Sequence, residues 1–83
     1  MVIDENWGVS IVRIRQFFFQ QPDVSEAAGE FRYRSCCITL TELPGHPVGP
    51  WSVPRTRVQM SGSEEDVTAI YHRFFMRFLS AGG

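Results

Sequence analysis

The side chains in this sequence best suited to chemistry are guanidinium groups. Arginine pairs one residue apart occur three times, as "RIR" at 13–15, "RYR" at 32–34 and "RTR" at 55–57, and the chain contains no lysine. A guanidinium presents a planar fork of donors that matches a carboxylate or phosphate bidentately, which an ammonium cannot do. In a β-strand, residues two apart share a face, so Arg32 and Arg34 point together and Arg55 and Arg57 point together. If the two strands pair, these four arginines form a candidate site for phosphate, an acidic peptide or a nucleic-acid backbone. Arg13 and Arg15 lie in a stretch with helical spacing, where residues two apart diverge.

The other reactive groups are two thiols and two imidazoles. Cys36 and Cys37 are adjacent, so on a strand they face opposite ways and a bond between them needs distorted geometry. They read as free thiols, one of them buried, in a reducing compartment. Cys36, Cys37, His46 and His72 lack the close chelating pair, such as C-x2-C, that a structural metal needs, so no metal site is expected. A Cys–His pair with His46 or His72 has no third group placed to orient it. There is no Gly-rich phosphate loop, paired-carboxylate motif or nucleophile elbow. The sequence thus calls for no catalytic residue and no cofactor, and the expectation is that the chain is not an enzyme.

At 83 residues the chain has room for one domain, 1–83, and its 43% hydrophobic and 20% charged residues are those of a folded protein. The net charge of -1 disfavours general nucleic-acid binding, which rests on a basic excess, so any basic site must be local. "MVIDENW" begins acidic rather than as a secretory signal, and the longest wholly apolar run, Phe17 to Phe19, is far short of the roughly 20 residues that span a bilayer. No membrane partner is expected, and the predicted location is the cytoplasm.

The elements that must position these groups follow from periodicity. Ile3, Trp7, Ile11, Ile14 and Phe18 recur every three or four residues, which predicts a helix over roughly 5–20 with Asp4 as N-cap, although "VSIVRI" is β-branched enough to compete as a strand. "QQPDVSEAAGE" reads as a connector. Phe31 to Leu43 is dense in aromatic, β-branched and cysteine residues and reads as a strand. "LPGHPVGPWSVP" carries four prolines and reads as a stiff loop or an edge, followed by a half-buried strand in "RTRVQM". Ser63 with Asp66 resembles a capping box, and Val67, Ile70, Tyr71, Phe74 and Phe78 form the apolar stripe of a second helix ended by Gly82. The expected fold is α+β, in the order α-β-β-α, with an antiparallel hairpin packed against two helices.

One conflict sits at the first arginine strand. Burying Cys36, Ile38 and Leu40 by simple alternation also buries Arg32 and Arg34 and exposes Phe31 and Tyr33. A β-bulge near Ser35 to Cys37 resets the alternation, returns the aromatics to the core and sets Arg32, Arg34, Arg55 and Arg57 on one open face.

Aromatics are in surplus. Phe17, Phe18 and Phe19 cannot all face one core, because successive helix residues are about 100° apart, and the same holds for Phe74 and Phe75, followed by Phe78 and Leu79. A second apolar surface is needed, and Phe19, Phe75, Phe78 and Leu79 are the candidate interface of a homodimer or a protein partner. The expected function is that of a small interaction or regulatory module that self-associates through helix aromatics. The alternative is an anion-binding module, for nucleic-acid backbone or a phosphorylated ligand, built on Arg32, Arg34, Arg55 and Arg57.

Overall fold

The computed structural model describes residues 1–79 and has a five-stranded antiparallel sheet with two helices on one face. In chain order the elements are β1 (Val2–Trp7), α1 (Ile11–Phe19), β2 (Ser25–Ala27), β3 (Glu30–Tyr33), β4 (Cys36–Val48), β5 (Trp51–Ser61) and α2 (Glu64–Phe78). Across the sheet the strands run β1-β5-β4-β3-β2. This overturns the expected α-β-β-α order: the chain is β-α-β-β-β-β-α, and the helices cover a sheet rather than a lone hairpin. No described helix is long and apolar enough to cross a membrane.

The first correction lies at the N-terminus. Ile3 and Trp7 fit a helical spacing, but with Glu5 they also fit a strand alternation, and β1 runs along β5 in unbroken register from Val2 opposite Ser61 to Trp7 opposite Thr56. Ile3, Glu5 and Trp7 therefore face the helices as strand residues. Ser10, not Asp4, is the N-cap, and its hydroxyl accepts from the Arg13 backbone N–H at 3.4 Å. Only Ile11, Ile14 and Phe18 of the stripe belong to α1.

The second correction lies in the supposed connector. It holds β2 and the start of β3, joined by Ala28 and Gly29 with φ of 54° and 81°. Positive φ at both central residues is the type I′ hairpin geometry that matches strand twist. Alanine seldom adopts it, so the turn is hard to see in the sequence.

The alternation conflict is resolved by a turn, not a bulge. Tyr33 pairs with Cys36, leaving Arg34 and Ser35 as a two-residue hairpin loop with Arg34 at φ 53°. Directly paired residues share a face, so Phe31 and Tyr33 join Cys36, Ile38 and Leu40 in the core. The strand expected over Phe31 to Leu43 is two strands.

β4 and β5 then continue well past their neighbours. β1 pairs only with residues 56–61 and β3 only with 36–38, so from Leu43 to Arg55 the two strands form an unsupported ribbon. Pro44 and Gly45 oppose Pro54 at a bulge, and the ribbon closes at Gly49 and Pro50, where Gly49 takes φ 58° at the first central position. The stretch read as a loop is this arm. It accounts for a molecule 42 Å long but only 24 and 21 Å across.

The core packs between sheet and helices. Phe18 and Phe74 stack with ring centroids 5.9 Å apart, and Phe78, Ile14, Ile38, Met60 and Ile70 close around them. Each such side chain contributes about 2–3 kcal/mol by burial. Ser63 caps α2 as expected, accepting from the Asp66 N–H at 3.3 Å, and Val67, Ile70, Phe74 and Phe78 are buried. Gly82, the expected helix stop, lies outside the described residues.

Candidate protein interface

The arginines part company in the folded chain. Arg55 and Arg57 share the open face of the sheet, as expected, with Leu43 and Thr41 opposite them on β4. Arg57 is held by Asp4 on β1: its Nε and Nη2 donate to the two carboxylate oxygens at 2.9 and 2.6 Å. That contact holds the Asp4 carboxyl below its ordinary range. Arg32 is also on the open face but far away, since it pairs with Cys37, which pairs with Ser61, four residues along β5 from Arg57. At about 3.3 Å per residue and about 4.8 Å per strand, the Arg32 and Arg57 backbones are roughly 16 Å apart.

Arg34 leaves the face altogether. The turn carries it toward α2, where its guanidinium lies 5.3 Å from the Tyr33 ring centroid and 3.9 Å from the Asp66 carboxylate. Four guanidinium groups on one surface was the basis of the anion site; the geometry supplies a pair, Arg55 and Arg57, half of it already matched to Asp4.

The thiols are free and face opposite ways. Cys36 is in the core, where burial pushes its pKa up and makes it a poor nucleophile. Cys37 lies on the open face with an Arg32 N–H donating to its sulfur at 3.0 Å. Among the described residues no three of His, Cys, Asp and Glu gather as metal ligands. His46 lies on the arm and His72 on the exposed side of α2.

The aromatic candidates divide too. Phe78 is 1% exposed and belongs to the monomer core. Phe75 is half-buried, its ring edge-on to Trp7 at 5.9 Å and beside Tyr71. Phe19 is 60% exposed, covering part of Phe31, and Leu79 is exposed as well. With Val12 on α1 and Met76 on α2 they make the outward apolar side chains of the helix layer.

The largest exposed apolar group was missed. Trp51, first residue of β5 beyond the arm's closing turn, is 75% exposed, and Val48 and Val53 beside it are open to solvent. The sequence carried a signal: from Leu43 to Pro54 there is no Asp, Glu or Arg.

These surfaces converge at one end of the molecule. The Val9 carbonyl accepts from the Thr56 hydroxyl at 2.7 Å, which seats the start of α1 at the root of the arm. Arg13 lies over the Phe78 ring at 5.8 Å, so the same end of α1 meets the C-terminal end of α2. The first turn of α1, which carries Val12, and the last turn of α2, next to Leu79, thus lie at the arm-root end, while Phe19 sits at the far end of α1 against Phe31. No protein-family model matches the chain, and no curated protein matches it.

Proposed function

We propose that this chain is a small, non-enzymatic interaction or regulatory module that works as a homodimer in the cytoplasm. The observation that carries the reading is the concentration of exposed apolar side chains, Val12, Met76 and Leu79, at the end of the helix layer from which the arm departs. Single exposed apolar residues are ordinary, but a group of them beside an unsupported ribbon is the surface of an association site. Two free thiols support the reducing compartment.

The alternative anion-binding reading loses support from the dispersal of Arg32 and Arg34 away from Arg55 and Arg57. Analytical ultracentrifugation from 1 to 500 µM tests the dimer. The expected result is a concentration-dependent shift to twice the monomer mass, and a monomer throughout overturns the reading.

A further inference from the structure

We infer that the arm is the docking element of the dimer, each copy laying its Val48–Trp51–Val53 ribbon on the Arg13–Arg77 end of the other copy's helix layer. This rests on the self-association proposed above and names the surface that performs it.

Val53 lies near Gly8 at the arm's root, but Val48 and Trp51 at its tip stay exposed in the monomer. A two-stranded ribbon in water is marginal by itself, and no third strand pairs with this one. Pro44, Pro47, Pro50 and Pro54 stiffen it by narrowing the unfolded ensemble, which lowers the ordering cost of binding. They also remove N–H donors, so the arm offers side chains rather than a strand edge.

The two sheet edges are poor routes to self-association. β2 is only three residues long. β1 is a six-residue edge, but Asp4 and Glu5 lie at its middle, and a two-fold pairing of β1 with itself about that middle sets acid against acid.

The helix end, by contrast, is complementary to the arm. Arg13 and Arg77 both lie over the Phe78 ring, at 5.8 and 5.4 Å, and neither has a carboxylate within ion-pair distance among the described residues. A guanidinium rim excludes a basic partner, whereas an uncharged ribbon docks on it without opposing like charges. The exposed indole of Trp51 is the aromatic face that best attracts a guanidinium. Trp and Arg are also, with Tyr, the residue types enriched in interface hot spots.

The area suffices. By side-chain size and exposure, Val48, Trp51 and Val53 offer roughly 300 Å² and Val12, Met76 and Leu79 about as much, so a reciprocal pair buries roughly 1,200 Å², the lower bound of a specific interface. Two-fold exchange closes the assembly and leaves neither arm free to propagate.

The experiment combines ultracentrifugation with iodide quenching of tryptophan fluorescence on the full chain. The expected result is a dimer in which Trp51, assigned by comparison with Trp51→Phe, loses its quenching as the dimer forms. Trp51→Ser, and separately Arg13→Gln with Arg77→Gln, then weaken association at least tenfold while the circular dichroism and melting curves stay unchanged. Val48→Ser with Val53→Ser is the second arm variant and weakens it likewise. A dimer that forms with Trp51 still quenched and with all three variants at wild-type affinity overturns the arm but leaves self-association standing. A wild-type chain monomeric at 500 µM overturns both.

Discussion

Asp66, on the first turn of α2, accepts two hydrogen bonds from Ser35, from the backbone N–H at 3.1 Å and from the hydroxyl at 2.6 Å. The sequence pattern suggested that Asp66 would turn back on its own helix as the second half of a capping box. Instead it reaches across 31 residues to the β3–β4 turn, and the Ser35 hydroxyl accepts from the Ser63 N–H at 3.1 Å, completing the cap from outside. One carboxylate thus fastens the helix start to the hairpin.

Those hydrogen bonds hold the Asp66 carboxyl below its ordinary value of 3.8, with Ser35 the leading cause. Asp23 is held down likewise by Arg73, and Asp4 by Arg57. A carboxyl with a lower pKa folded than unfolded contributes stability above the unfolded value, lost as pH falls through the folded one. Stability should therefore be level near neutrality and decline below about pH 4. Asp66→Asn should be less stable at pH 7 and show a shallower acid decline, measured by urea denaturation between pH 7 and 2; parallel curves for the two proteins would remove Asp66 from the acid response.

Tyr71 governs the opposite limb. Its hydroxyl donates to Glu5 at 2.7 Å, and burial with that contact pushes its pKa from the ordinary 10 to about 12. Ionisation is then easier in the unfolded chain, so the stabilisation present below pH 10 is lost as pH rises through 12. Absorbance titration at 295 nm should show a late tyrosinate phase near pH 12 that Tyr71→Phe removes. Its persistence in that variant would assign it elsewhere.

Among the described residues Thr56 is the one buried polar side chain, and its hydroxyl satisfies the Val9 carbonyl. Thr56→Val keeps the shape and removes the donor, leaving a buried acceptor unpaired at a cost of about 1–3 kcal/mol. The denaturation midpoint should fall with unchanged m. An unchanged midpoint would mean that the carbonyl finds water.

How much of this was legible follows from where each signal lives. α2 could be read because its cap, its acidic first turn and its stripe lie within sixteen consecutive residues. The antiparallel hairpin of residues near 36–41 with those near 55–60 could be read because both strands alternate, but its register, with Leu40 opposite Val58, could not. β1 could not, because Ile3 and Trp7 satisfy both periods and only the partner strand decides between them. The turns at Ala28–Gly29 and Arg34–Ser35 were hidden because Ala28 and Arg34 hold a positive φ that their residue types disfavour. The arginine site was half legible: the pairwise sharing of faces holds for Arg55 and Arg57, but one turn separates Arg32 from Arg34. The arm's exposure depends on where β1 and β3 stop, which no local pattern states.

Gly62 shows the same dependence on distant chain. A Cβ there would lie 2.7 Å from the Ser35 carbonyl oxygen and 2.8 Å from the Cys36 Cα, both backbone atoms that cannot swing aside. Gly62→Ala should lower the melting temperature and loosen the β3–β4 turn, seen as faster amide exchange at Ser35. Wild-type exchange in a stable variant would show that the turn has room to shift.

The arm itself can be removed without touching the core. Leu43 and Arg55 are directly paired, so replacing residues 44–54 by Asn-Gly closes the ladder with the two-residue loop that suits strand twist. Every pairing of β1 and β3 survives, as does the Thr56 contact with Val9, because all lie on the body side of the cut. What is lost is a ribbon with no neighbouring strand, and what is gained is a shorter loop, so stability should change by no more than about 1 kcal/mol. The trimmed chain should keep the near-ultraviolet circular dichroism of Trp7 and its melting curve, yet sediment as a monomer. An unfolded product would show that the ribbon supports the sheet, and a folded dimer would place association on the helix layer alone.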